Sequence, residues 1–150
     1  MYQESFAFYL SILRKQFVSY CTEKLSDLGI TYNQLFVLIY ISKKKDCFPK
    51  EIAEYLNLDA GQLNRTLAKL SEKELITQQK SQKDKRFQLL NITAKGFDVV
   101  EQSKTFFHQW DRQILSTLEP DSQQELLQLM KQILLSQKES TGGTKNECNQ

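Results

Sequence analysis

Two clusters of side chains in this sequence have the chemistry to read nucleic acid. The first lies in Gly61-Gln62-Leu63-Asn64-Arg65-Thr66-Leu67-Ala68-Lys69. Gln62, Arg65, Thr66 and Lys69 recur at three- and four-residue steps, which on a helix is one face, with Gly61 and Asn64 at its edge. Arg, Gln and Asn are the side chains that can bond two atoms of a base edge at once. Gly61 carries no Cβ where the helix start would approach a phosphate. No Asp or Glu occurs from Gln62 to Ser71, and phosphates repel carboxylates. The second cluster is Lys80-Ser81-Gln82-Lys83-Asp84-Lys85-Arg86, with four bases and one acid. A loop of this composition suits a phosphate-lined groove. Taken singly, a polar helix face is more often just a solvated surface and a Lys-rich tip is commonly inert; their joint order and spacing give them weight.

Other chemistry finds little support. His108 is the only histidine, and Cys21, Cys47 and Cys148 are far apart with no C-x-x-C. No metal site and no cofactor are expected. An odd cysteine count without export features suggests free thiols, and Cys21 and Cys47 read as buried or incidental. Without a Cys-His motif, a Gly-rich phosphate loop or paired carboxylates, no catalytic constellation is visible, and an enzyme is not expected.

The surrounding pattern supplies elements to hold the two clusters. Phe6, Tyr9, Leu10, Leu13, Phe17 and Tyr20 form the stripe of a long helix from about Tyr2 to Leu28, broadened by Phe8, Ile12 and Val18, with Gly29 as its stop. Thr31 and Gln34 form a T-x-x-Q capping box ahead of a buried helix running to about Lys43. Lys43 to Asp46 is a charged turn. Pro49 opens a short third helix with Ile52, Ala53 and Leu56 inward. Asn57-Leu58-Asp59 is a tight connection, and Asp59 with Gln62 caps a fourth helix pinned by Leu63, Leu67 and Leu70. Leu75-Ile76-Thr77 and Phe87 to Ile92 read as two strands of a hairpin whose tip is the charged cluster. Thr93 caps a fifth helix with Gly96 in its first turn, reaching about Leu118. Pro120 starts a sixth, with Leu126, Leu127, Met130, Ile133 and Leu134 on one stripe. Residues 139–150 have the composition of a disordered tail.

The fold class expected is therefore mainly α with a small β-hairpin wing: a winged helix-turn-helix over 29–93, framed by helices at 1–28 and 94–138. At 150 residues this is one domain's length. The net charge is only +2, but the stretch from Lys43 to Lys104 holds 13 Lys and Arg against 9 Asp and Glu, so the basic excess sits around the clusters. No run is long enough to span a membrane, and the first residues lack the features of a secretion signal, so a cytoplasmic location is expected.

Several segments resemble the MarR (multiple antibiotic resistance regulator) family. Gly29-Ile30-Thr31-Tyr32-Asn33-Gln34 resembles its "G-[IL]-T-x-x-Q", and Ile52-Ala53-Glu54-Tyr55-Leu56 its "L-A-x-x-L". Leu67 to Ile76 resembles its "LxxLExxGLI". Asp84-Lys85-Arg86, followed by Leu90 to Gly96, resembles its wing signature "D-x-R…L-T-x-x-G". The resemblance runs from about Phe6 to Leu134. It implies an obligate dimer whose first and last helices interlock, Arg86 as the wing-tip arginine entering the minor groove, and Asp84 as an acid that braces the wing by ion-pairing.

The departures are informative. Glu74 stands where the family has glycine before the first wing strand, and Ile92-Thr93 replaces Leu-Thr. Ser5-Phe6-Ala7-Phe8-Tyr9 and the Tyr32 segment resemble the organic-hydroperoxide-sensing branch, but Ser5 occupies the place of that branch's cysteine. Serine forms no thiolate, so peroxide sensing there is excluded.

Two functions of different class compete. One is a transcriptional regulator, most simply a ligand-responsive repressor, whose homodimer binds a pseudo-palindromic operator in double-stranded DNA. Its DNA-binding residues would be Gly61, Gln62, Asn64, Arg65, Thr66, Lys69, Lys83, Asp84, Lys85 and Arg86. Phe17, Tyr32 and Phe36 are candidates to line a pocket for a small-molecule effector, although such residues are more often simply core. The other is a winged-helix module that docks on protein and not on DNA.

Overall fold

The computed structural model describes residues 4–142, with side chains to Gln137. Helix α1 spans Phe6–Ser26, α2 Tyr32–Ser42, α3 Pro49–Leu56 and α4 Ala60–Glu72. Strands β1 (Ile76–Lys80) and β2 (Gln88–Ile92) follow, then α5 (Ala94–Ile114), a 3₁₀ turn at Leu115–Thr117 and α6 (Pro120–Gly142).

Local chemistry accounts for most of these boundaries. The chain leaves α1 through Gly29 at φ +66°. Ile30 N–H donates to Leu25 O at 3.4 Å and Gly29 N–H to Ser26 O at 3.1 Å, the paired bonds of a glycine-terminated helix. The capping box of α2 is formed as its sequence requires: Gln34 N–H donates to Thr31 Oγ1 at 3.3 Å, and Thr31 N–H to Gln34 Oε1 at 3.2 Å. In α4 the same reciprocal pair links Asp59 and Gln62. Between α3 and α4, Asn57 takes φ +52°, a conformation asparagine tolerates better than most residues.

The two strands pair antiparallel in the register Ile76↔Ile92 to Lys80↔Gln88. A third segment joins them. Cys47 exchanges both backbone hydrogen bonds with Leu90, at 3.0 and 2.8 Å, so the segment leading into α3 extends the wing's ladder. Asp46 and Asn91 reinforce this seam with two 2.9 Å bonds.

The chain forms two compact units that meet between Trp110 and Asp111, inside α5. The core of the first is built from Leu25, Leu35, Leu38, Ile41, Ile52, Leu63, Leu70 and Leu90, all fully or almost fully buried. Burying such side chains stabilises the fold by roughly 1.5–3 kcal/mol each. The N-terminal half of α1 contributes nothing to this core; Phe6, Tyr9, Leu10 and Leu13 lie exposed. In the second unit, α6 also carries exposed Leu127, Leu129, Leu134 and Leu135.

Several boundaries differ from those read in the sequence: α1 spans Phe6–Ser26 where about Tyr2 to Leu28 is expected, and β2 starts at Gln88, one residue after Phe87. The first wing strand starts one residue later, at Ile76, and runs on to Lys80, because the polar residues Thr77 to Lys80 pair across to β2. The fifth helix stops at Ile114 and tightens into the 3₁₀ turn before Leu118 becomes extended. Helix α6 continues to Gly142, past the expected end of ordered structure at 138. The remainder of the expected tail, with Cys148, lies outside the described residues.

Candidate nucleic-acid interface

Helix α4 is held by one face and free on the other. Leu63, Leu67 and Leu70 are buried, while Gln62, Asn64, Arg65 and Lys69 are exposed. Thr66 is half-buried and its hydroxyl donates to Gln62 O at 3.0 Å, so this group serves the helix first. The Gln62 side-chain oxygen faces the Asp59 N–H in the cap, which leaves its amide nitrogen for an outside partner. Gly61 is closely packed on one side: a Cβ there would crowd Asp59 Oδ1, the capping oxygen, at 3.2 Å and touch Arg65 Nη1 at 3.7 Å.

The wing tip is a structured loop. Ser81 N–H donates to Phe87 O at 2.8 Å and Phe87 N–H to Asp84 O at 3.0 Å. The Ser81 hydroxyl accepts from Lys83 N–H and Asp84 N–H. Asp84 then takes up Arg86 from both ends. Its Oδ1 accepts from Arg86 N–H and Nε–H, each at 3.0 Å, and its Oδ2 from Nη2 at 2.7 Å. The Arg86 side chain is nonetheless 85% exposed, against 31% for Asp84. The acid orients the guanidinium and leaves most of it outward. The Arg86 bonds hold the Asp84 carboxyl below the usual aspartate range. Lys80, Lys83 and Lys85 are exposed around this pair.

The base of the wing is set by a close approach. A Cβ on Gly96 would collide with the Leu75 carbonyl oxygen and lie 2.9 Å from Ile92 Cγ1, so α5 can start here only on glycine. Its N-cap Thr93 accepts from Gly96 N–H at 3.0 Å and donates to Glu74 O at 2.8 Å. Glu74 sits at φ +60°. The dihedral that glycine favours is retained there with a glutamate in place.

Phe17, Tyr32 and Phe36 are brought together. Phe17 lies edge-on to Tyr32 with ring centroids 6.1 Å apart, and Tyr32 is 4.7 Å from Phe36. The sequence reading missed two further members: Phe107, 5.3 Å from Phe17, and Trp110, 5.5 Å from it. Both come from α5, far along the chain, and no local pattern connects them to α1. Also missed were the Cys47–Leu90 pairing and a polar hub at Gln34 and Lys73. Gln34 is 4% exposed and looked only like a cap; its Oε1 also accepts from Lys73 Nζ at 3.3 Å.

Cys21 and Cys47 are both fully buried. Burial pushes the Cys21 thiol up to about 11 and raises that of Cys47 as well. Both are therefore poor nucleophiles at neutral pH. Ser5 is the residue before α1 and makes no side-chain capping bond. Among the described residues, no group of three His, Cys, Asp or Glu is placed to hold a metal, and no helix is long and apolar enough to cross a membrane.

A family model described as the MarR family matches residues 28–86, the segment from the end of α1 to the wing tip. A relative from Clostridium symbiosum, "HTH-type transcriptional regulator BilQ", is 33% identical over 131 residues, covering 87% of this chain and 91% of the relative. The chain belongs to the MarR family. This MarR-family chain is also 33% identical, over 72 residues, to the "Organic hydroperoxide resistance transcriptional regulator" of Bacillus subtilis, covering 48% of this chain and 49% of the relative. Its fold matches a mutant MarR from E. coli complexed with operator DNA at a TM-score of 0.72 and 27% identity, over 84% of this chain and 91% of that one. It is accordingly a MarR-family transcriptional regulator with a DNA-binding winged helix.

Proposed function

We propose that this regulator binds a pseudo-palindromic operator as a homodimer, acts as a repressor, and releases DNA when a small effector binds. Residues 1–28 and 94–138 form the dimerisation region in this reading, and 29–93 the DNA-binding region. The observation that carries it is the exposed face of α4, free of carboxylates from Gln62 to Ser71 and fixed from behind by Leu63, Leu67 and Leu70. Arg65, Asn64 and the Gln62 amide read base edges in the major groove. Lys69 and Gly61 face the phosphates. Arg86 enters the flanking minor groove, where a guanidinium is less costly to dehydrate than an ammonium. Lys83 and Lys85 follow the backbone, and Asp84 touches Arg86, not DNA. The regulator works in the cytoplasm and catalyses no reaction.

The effector site in this reading is the cluster of Phe17, Tyr32 and Phe36, completed by Phe107 and Trp110. Its side chains are largely apolar and aromatic, which suits a flat, largely apolar molecule that enters between the rings. Selection from a random duplex pool, followed by binding measured across salt, tests the DNA reading. One enriched two-fold motif is expected, with affinity falling steeply as salt rises because phosphate contacts release counterions. No enriched motif and a flat salt response would favour protein docking instead.

A further inference from the structure

The last turn of α4 is tied to its surroundings by one side chain that the DNA-binding surface does not use. Lys73 is the residue that closes α4; its N–H donates to Lys69 O at 3.1 Å. Its Nζ donates to two acceptors across the fold: the Gly29 carbonyl, at the end of α1, and Gln34 Oε1. Its own carbonyl accepts from Lys95 Nζ at 2.9 Å, in the first turn of α5. One residue thus joins the ends of α1 and α4 to the starts of α2 and α5.

The partners make this more than a surface contact. Gln34 is buried and already committed to the Thr31 capping box, so its oxygen cannot swing away without opening the start of α2. Gly29 is fixed by the bonds that end α1. The ammonium therefore grips two rigid acceptors. The alternative for Lys73, a phosphate contact, would require it to leave both.

We infer that Lys73 is a positioning residue of the DNA-binding surface, setting the angle of α4 from behind without touching DNA. The inference rests on α4 being the reading helix. Arg65 lies eight residues before Lys73, about 12 Å along the axis. A rotation of roughly ten degrees about the Lys73 end would shift Arg65 by about 2 Å, far outside the few tenths of an ångström that a good hydrogen bond tolerates. Sequence reading depends on such alignment; phosphate attraction does not.

The test compares wild type, Lys73→Met and Lys73→Arg on the duplex selected from the random pool and on a scrambled duplex, across salt. Lys73→Met keeps the aliphatic stem and removes the charge. It is expected to weaken binding to the selected duplex about five- to hundredfold, the scale of one lost base contact. Affinity for the scrambled duplex and the slope of log affinity against log salt should stay unchanged, and Lys73→Arg should recover most of the loss. Equal weakening on both duplexes, with a slope shallower by about 0.9, would mean Lys73 contacts a phosphate and would overturn the inference. Unchanged affinity on both duplexes would overturn it too. If wild type selects no sequence, the DNA reading itself fails. Amide exchange on the free protein then still tests the tie. Faster exchange at the last turn of α4 in Lys73→Met, absent in Lys73→Arg, supports it, and unchanged exchange overturns it.

Discussion

Asp84 and Arg86 show how a single acid can belong to a DNA-facing loop. Standing alone, a carboxylate at the wing tip would repel phosphate. Here it is spent on orienting the one arginine of the wing, and the pair leaves three exposed lysines around it. Because the Asp84 carboxyl is held below its ordinary value, the contact is complete near neutral pH and is lost only as pH falls through that lowered value. An NMR titration should place the Asp84 midpoint below that of an ordinary aspartate in wild type and move it upward in Arg86→Ala. An unmoved midpoint would mean the pair does not form in solution. Arg86→Ala should also weaken DNA binding and make the salt slope shallower by roughly one unit, with the thermal melt nearly unchanged, since the side chain is mostly in water. Cys21 and Cys47 are buried with raised thiol values, and Ser5 has no thiol, so organic hydroperoxide should not release DNA through any of the three. Release that disappears in Cys21→Ser would contradict this.

Helix starts were legible in the sequence because the groups that make them are neighbours: Thr31 with Gln34, Asp59 with Gln62, and Pro49 at the first position of its helix. The exposed and buried faces of α4 were legible for the same reason, since Leu63, Leu67 and Leu70 lie three or four residues apart. What was not legible depends on contacts distant in sequence. Cys47 pairs with Leu90 through backbone atoms, which leaves no side-chain pattern. Phe107 joins Phe17, and Lys73 reaches Gln34, only once the helices are packed. The end of α4 contains the sharpest test at this scale. Glu74 holds φ +60° where left-handed backbone costs a non-glycine residue roughly 1–2 kcal/mol. Part of that is returned by the greater freedom of glycine when unfolded, so Glu74→Gly should raise stability by about 1 kcal/mol. Gly96 has the opposite sign. Its missing Cβ makes room for the Leu75 carbonyl, so Gly96→Ala should cost about 1–3 kcal/mol or more in chemical denaturation. A neutral Gly96→Ala would show that α5 can shift to admit the methyl group.

At the scale of the whole molecule, two surfaces ask for a partner. The N-terminal half of α1 exposes Phe6, Phe8, Tyr9, Leu10, Ile12 and Leu13, and α6 separately exposes a run of leucines and Ile133. A single chain gains nothing from apolar surface left in water on this scale. A two-fold dimer would bury it and present two copies of α4 to two half-sites. Analytical ultracentrifugation at micromolar concentration should therefore find one species at twice the chain mass of 17.6 kDa; a stable monomer would remove the basis for a palindromic site. If α4 reads DNA sequence through its exposed face, Arg65 is the side chain whose removal must show it. Fluorescence anisotropy would compare wild type and Arg65→Ala on the selected duplex and on a scrambled one. A loss of about 1–3 kcal/mol is expected on the selected duplex and a far smaller loss on the scrambled one. Equal loss on both, or none on either, would contradict it.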